Sequence, residues 1–170
     1  RTYECFVTAN SKGEDDSGAV FKAGTAVRDS DDKVDFTLRF DNDGGDDDMM
    51  MELGDDNMTG ITMAGITDGE RHHVAVTYDK EQVRVYYDGV LVRSGTRDLE
   101  TGFNELVVGS WLGREDGQWD GVIADFRMWN DCLSDEEIGQ LAAGEPLEEI
   151  GDYPDDLRLW WRLNEPGGRT

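Results

Sequence analysis

Residues 69–95 read GERHHVAVTYDKEQVRVYYDGVLVRSG and contain β-strand patterns on either side of a tight turn. Apolar and polar side chains alternate in HHVAVTY (72–78) and again in VRVYY (83–87), which is the period of a half-buried strand. Asp88 and Gly89 separate VRVYY from VLVR, and Asp-Gly between such runs predicts a two-residue hairpin turn. The segment therefore predicts consecutive antiparallel strands.

The same period recurs along the rest of the chain. The further strand candidates are Thr2–Ala9, Ala19–Ala23, Val34–Phe40, Met49–Leu53, Ile61–Ile66, Glu105–Gly109, Val122–Trp129 and Leu157–Leu163. Short strands separated by turns rich in Gly, Asp and Asn are typical of antiparallel sandwiches and barrels. We predict an all-β fold, an antiparallel β-sandwich of the jelly-roll type, in a single domain over residues 1–170.

One short helix is expected near the C-terminus. Ser134 and Glu137 have the spacing of a capping box, in which each side chain satisfies a backbone N–H of the other residue. Ile138 and Leu141 follow at helical spacing, and Gly144 is placed to end the helix.

Two later segments carry a resemblance to a known family. They are ELVVGSW (105–111) and WDGVIADFRMWNDCLSDEEIGQLAAG (119–144). Together with residues 69–95, they resemble a laminin-G-like or pentraxin-like domain of the concanavalin A-like lectin/glucanase superfamily, and LRLWWRLNE (157–165) resembles the strand that closes pentraxin domains. The family's usual first strand is not seen before Thr2, so we expect that the domain lacks this strand or that the chain is part of a larger one.

The charge of the chain excludes several classes of partner. It has 39 acidic and 16 basic residues, a net charge of −23, which opposes binding to nucleic acids and to anionic membrane surfaces. No apolar run reaches the length of a transmembrane helix. The acids comprise 25 Asp and 14 Glu, whereas Lys occurs only four times. This composition resembles that of proteins from extreme halophiles; a merely soluble surface and calcium-binding Asp clusters are the alternatives.

The resemblance implies a calcium site at a loop edge. Its ligands would be Asp31 and Asp32 before one strand, and Glu115, Asp116 and Gln118 after another. Calcium takes six to eight oxygen ligands from flexible loops, which suits these residues. In so acidic a chain, solvated surface carboxylates are the favoured alternative.

Two tryptophans flank the loop at 113–117. Trp111 and Trp119 could stack on sugar rings, because aromatic faces at loop tips bind the apolar faces of sugars. The alternative is that both pack against the fold. Cys5 and Cys132 permit at most one disulfide, and the sequence leaves their pairing open.

Catalysis is not expected. Glucanases of the resembled superfamily carry acids that alternate along one strand, and this chain has no such run. We predict a non-catalytic recognition module, extracellular or on a cell or virion surface, that binds glycans or a surface protein. A structural decoration, turret or fibre domain of a halophilic virus capsid or cell-surface assembly, with a homo-oligomeric contact, is the second hypothesis. A degenerate glycoside hydrolase is the third.

Overall fold

The computed structural model describes residues 1–13, 16–24, 36–53, 57–96, 105–110 and 117–163. Within them the chain forms eleven strands, one α-helix and one 3-10 turn. The strands are β1 Thr2–Ala9, β2 Ala19–Gly24, β3 Phe36–Phe40, β4 Asp48–Leu53, β5 Met58–Thr62, β6 His72–Tyr78, β7 Gln82–Tyr87, β8 Val90–Thr96, β9 Glu105–Val108, β10 Gly121–Trp129 and β11 Leu157–Trp161. The helix α1 spans Asp135–Ala143, and the 3-10 turn spans Leu147–Glu149.

The strands form two antiparallel sheets. One has six strands in the order β11-β10-β1-β6-β7-β8, and the other has five in the order β5-β4-β3-β2-β9. Strands far apart in sequence are neighbours in both sheets, as in a jelly roll. The prediction of an all-β antiparallel fold with one short helix near the C-terminus is confirmed.

The chain divides into two compact units. Unit 1 comprises Arg1–Val7, Arg71–Ser94 and the chain from Ile123 onwards, and unit 2 comprises Thr8–Glu70 and Gly95–Val122. Unit 1 contains α1 and most of the six-stranded sheet, and unit 2 contains the five-stranded sheet.

In unit 1, α1 begins at the predicted capping box. The Ser134 side chain accepts a hydrogen bond from the Glu137 backbone, and the Glu137 carboxylate accepts one from the Ser134 backbone at 2.7 Å. Gly144 ends the helix in a left-handed conformation (φ 76°), as the sequence predicted. Helix and strand residues share a buried apolar cluster, formed by Ala75, Tyr86, Trp129, Leu133, Ile138, Leu141 and Ile150.

The Asp88–Gly89 turn is also as predicted. Both residues have positive φ (47° and 78°), the requirement of the hairpin turn that Asp-Gly favours. A Cβ atom at Gly89 would lie 3.1 Å from the Cα of Gly139 and the Cβ of Ala142, so the turn packs closely on α1. This position therefore needs glycine for both its backbone and its contact with the helix.

In unit 2, the five-stranded sheet has an apolar face and a buried polar face. The apolar face includes Phe36, Leu38, Met49 and Met51. On the other face, Lys22 lies opposite Thr37, and Thr37 lies opposite Glu52. Next to this polar row, the Nε of Arg39 is 2.8 Å from a Glu52 carboxylate oxygen. Lys22 and Thr37 are fully buried, so the polar row is closed to a ligand in this structure.

The bounds predicted for the strand over residues 61–66 are wrong. The observed strand β5 ends at Thr62, and the next residues form a turn. Gly65 has a left-handed backbone (φ 81°) and its carbonyl accepts a hydrogen bond from the Asp68 N–H, which bends the chain away from the sheet. The apolar residue Ile66 is buried in this turn rather than in a strand.

Both cysteines are free thiols. Burial raises the pKa of Cys5 well above its usual range. Among the described residues, no helix has the length and apolar character needed to cross a membrane.

Candidate functional site

Most of the site residues named from the sequence are not part of the described structure. Asp31, Asp32, Trp111, Glu115 and Asp116 lie outside the described residues. Gln118 is described: it is exposed and forms an isolated antiparallel bridge with Ser110.

Trp119 packs inside unit 2. Only 9% of the residue is exposed, and its indole ring stacks on Phe40 with 5.2 Å between centroids and 12° between planes. Its Nε1 donates to the Thr8 carbonyl at 3.1 Å. Packing is the role that the sequence offered as the alternative for Trp119. Sugar stacking by this residue stays a prediction.

The two strand ends that are adjacent in sequence to the predicted calcium ligands, the start of β3 and the end of β9, lie at opposite ends of the sheet. β3 and β9 are both antiparallel to β2, so they run parallel to each other. Asp31 and Asp32 precede the first residue of β3, whereas Glu115 and Asp116 follow the last residue of β9. Among the described residues, no group of three or more His, Cys, Asp or Glu side chains is placed to hold a metal ion. The calcium site stays a prediction.

An open cleft of about 400 Å³ lies in unit 1, between the sheet and the segment that follows α1. We call it the helix-side cleft. Its sheet wall is formed by Phe6, Arg71, Asp125, Arg127 and Trp160. Its helix wall includes Glu145, Pro146, Leu147, Glu148 and Tyr153. The volume is within the range of small-ligand sites, about 300–1,000 Å³.

Asp125 is the centre of the sheet wall. One carboxylate oxygen accepts a hydrogen bond from the Trp160 indole N–H at 3.1 Å and lies 3.8 Å from a guanidinium nitrogen of Arg127. The other oxygen is 3.5 Å from the guanidinium of Arg71. The Asp125 backbone is left-handed (φ 51°), which is uncommon outside glycine and is found preferentially at functional sites.

Arg127 connects the cleft to a buried carboxylate behind it. Its Nη1 donates to Glu4 at 3.0 Å, and the same carboxylate contacts Trp129 Nε1 at 3.4 Å and His73 Nε2 at 3.2 Å. Arg127 is only 7% exposed, and its Nε has no acceptor among the described residues. A buried donor without a partner is rare in native proteins. The Nε atom is itself closed to solvent, so it offers no donor to a ligand in the cleft.

The aromatic rings of the sheet wall carry guanidinium groups on their faces. The Arg71 guanidinium carbon lies 3.7 Å from the centroid of the Phe6 ring. Arg127 and Arg162 lie 5.2 Å and 4.5 Å from the centroid of Trp160. Such contacts contribute about 0.5–1 kcal/mol at exposed sites. They add to the contacts that position the arginine side chains beside the cleft.

The sequence patterns did not predict this cleft. Phe126 and Arg127 are successive residues of β10, and strand alternation alone places them on opposite faces. The pairing of Arg127 with Trp160 across β10 and β11 brings together residues 33 positions apart. The adjacent tryptophans of β11, Trp160 and Trp161, are the sequence feature that could have indicated the cleft. Successive strand residues point to opposite faces, so the two indole rings cannot both pack on the same side of the sheet.

The comparisons with known proteins identify the family. A model described as Laminin_G_3, of the concanavalin A-like lectin/glucanases superfamily, matches residues 1–139. The chain belongs to this family. The resemblance drawn from residues 69–144 is thereby confirmed. A search of curated protein sequences finds no match.

Three solved structures show the same fold. A candidate carbohydrate-binding protein from Bacteroides ovatus is 17% identical with a TM-score of 0.66, covering 99% of this chain and 46% of its own. The heptameric pentraxin of Limulus polyphemus is 15% identical with a TM-score of 0.62, covering 95% and 79%. Domain 4 of an extracellular arabinanase from Geobacillus stearothermophilus, in complex with arabinotriose, is 23% identical with a TM-score of 0.62, covering 83% and 65%. The chain thus spans less than half the length of the Bacteroides protein.

Proposed function

We propose that the protein is a non-catalytic glycan-binding module and that the helix-side cleft holds the sugar. The observation that supports this most strongly is that one open cleft combines apolar residues of the helix wall with a guanidinium–carboxylate pair, Arg71 and Asp125. Sugars need an apolar surface for their C–H faces and adjacent donors and acceptors for neighbouring hydroxyl groups. The named likeness to carbohydrate-binding structures is in keeping with this role.

Each wall has a part in this binding. Tyr153, Pro146 and Leu147 would contact the C–H face of the sugar. The pair of Arg71 and Asp125 would donate to and accept from adjacent hydroxyl groups of the sugar. No nucleophile or proton transfer is proposed, because the Asp125 carboxylate is already held by Trp160, Arg71 and Arg127.

The place of action follows from composition and family. We propose a secreted or surface-attached module that works in concentrated salt. The 25 Asp against four Lys, and the laminin and pentraxin folds among its structural neighbours, support this proposal.

A glycan array, followed by titration calorimetry in molar sodium chloride, tests the proposal. Asp125→Asn keeps the size of the side chain and tolerates the left-handed backbone, but removes the charge that orders Arg71 and Arg127. We expect it to weaken binding about tenfold, the value of one charged hydrogen bond. Asp155→Asn, in an exposed turn of the same unit, is the matched control and should bind like the wild type.

Three results would contradict this assignment. Absence of any glycan hit for the wild type would refute the function. Equal binding by Asp125→Asn and the wild type would show that the helix-side cleft is not the binding site. Loss of binding in Trp111→Ala but not in Asp125→Asn would move the site to the loop that the sequence indicated.

A further inference from the structure

The charged groups of the helix-side cleft are distributed unequally between its two walls. On the sheet wall, the cations are matched: Arg127 contacts both Glu4 and Asp125, and Arg71 contacts Asp125. Glu4 is fully buried behind the wall, so its charge is compensated within the fold rather than by solvent. The two arginines therefore offer hydrogen-bond donors without an excess of positive charge.

On the helix wall, the acids are not matched. Glu145 and Glu148 are exposed and line the cleft, and the residues that the structure describes supply neither with an ion pair. They follow α1 in a segment with no basic residue, and the last turn of α1 has none either. The charged lining residues are two arginines against Asp125, Glu145 and Glu148. Arg162 on the Trp160 ring adds one cation and Glu4 behind the wall adds one acid, so four acids face three cations. A ligand in the cleft thus meets a local excess of negative charge.

We infer that the cleft, as the glycan site proposed above, selects neutral sugars and rejects those that carry a carboxylate or sulfate. Like charges a few ångströms apart at a protein surface repel even where they are in contact with water, and the repulsion is larger at low salt. The Arg127 guanidinium already contacts two carboxylates, Glu4 and Asp125, so it has no free charge with which to neutralise an incoming anion. The net charge of −23 adds repulsion at longer range.

The experiment is an array of neutral, sialylated, uronic-acid and sulfated oligosaccharides, probed with the full 170-residue protein at the lowest salt in which it is folded. Low salt matters because screening would weaken the discrimination. We expect neutral oligosaccharides to bind at least tenfold more tightly than acidic derivatives of the same core. The double substitution Glu145→Gln with Glu148→Gln keeps the shape of the wall, and should raise the affinity for acidic derivatives relative to neutral ones about tenfold.

Glu149→Gln is the matched control, since Glu149 lies beside Glu148 in the same 3-10 turn but does not line the cleft. It should leave the preference unchanged. Tighter binding of acidic glycans by the wild type, sensitive to Asp125→Asn, would overturn the inference and leave the proposed function standing. An unchanged preference in the double variant would also overturn it. Absence of all glycan binding would refute the proposed function and this inference together.

Discussion

Glu4 and Lys12 are buried charges only eight residues apart in sequence, and the fold compensates them in different ways. Glu4, in unit 1, is 1% exposed and contacts the side chains of Arg127, His73 and Trp129. Lys12, in unit 2, is 7% exposed, and its ammonium donates to the backbone carbonyls of Asp41 and Gly44 at 2.9 and 3.2 Å.

The two sites differ in which part of the fold compensates the buried charge. The Glu4 site depends on the identity of three side chains that come from other strands. The Lys12 site depends on the conformation of the loop over residues 41–48, which presents carbonyl oxygens whatever its side chains are. This loop is held by polar contacts at its end, since the Asp48 carboxylate accepts hydrogen bonds from Thr62 in β5 and from Gly45 in the loop. Those two hydrogen bonds hold the pKa of Asp48 below its usual range.

Salt concentration should have the largest effect on the stability of the fold. It screens the many surface charges and does not reach the two buried sites. Screening lengths shrink from about 10 Å at 0.1 M salt to about 3 Å at 1 M. We expect the melting temperature to fall by on the order of 10 °C or more from molar to dilute sodium chloride, unless divalent cations are added. Circular dichroism measures this, and an unchanged melting temperature would refute the halophile hypothesis.

Glu4→Ala should be the most damaging single substitution in the comparison. It leaves Arg127 and His73 buried without their carboxylate, and breaking a buried pair costs about 3–5 kcal/mol. Urea denaturation in molar salt measures the loss. Glu4→Gln keeps an acceptor for Arg127 and should lose less. A loss below about 1 kcal/mol for Glu4→Ala would show that water reaches this site and that it is not a buried one.

Lys12→Met should cost less. It removes the charged donor from the Asp41 and Gly44 carbonyls, and hydrogen bonds to charged groups contribute about 1.5–3 kcal/mol. Lys80→Met is the control, because the Lys80 side chain is exposed. Equal stabilities of the two variants would contradict the role assigned to Lys12.

Tyr86 provides the smallest test, since it is a neutral group in the buried cluster of unit 1. Its hydroxyl donates to Asp135 at 2.7 Å, and burial, followed by this hydrogen bond, raises its pKa to about 12. The folded state therefore keeps a proton that the unfolded state loses above its ordinary pKa of 10. Stability is complete below pH 10 and declines as the pH rises towards 12.

Tyr86→Phe should reduce this alkaline decline. Denaturation midpoints of the variant and the wild type between pH 9 and pH 12 measure it. Parallel midpoints across that range would show that Tyr86 does not contribute. The pKa of Tyr3 is also raised by burial, so some decline should persist in the variant.

The parts of the fold that the sequence predicted well are those with local causes. β1 and β6 have the predicted bounds, because alternation of apolar residues is a property of the strand itself. The Asp88–Gly89 turn and the Ser134 cap were predicted because only a few neighbouring residues determine them. The bounds of β5 were missed because Gly65 bends the chain after Thr62, and apolar residues continue through that bend.

The candidate site could not be predicted in the same way. The sequence favoured loop residues such as Trp119, whose indole lies against Phe40 in the structure. The helix-side cleft depends on the register of β10 with β11 and of β1 with β6, which places Arg127 beside Trp160 and Phe6 beside His73. No local pattern encodes these pairings.

Composition and short-range spacing were sufficient for the class of fold, the position of the helix and the strongly acidic surface, and the family was indicated by the resemblance of its motifs. Which charges are buried depends on the tertiary structure. Glu4 is one carboxylate among 39, and Lys12 is one of four lysines. Nothing in their neighbours along the chain sets them apart, because burial and compensation depend on strands and loops that are distant in sequence and meet only in the folded protein.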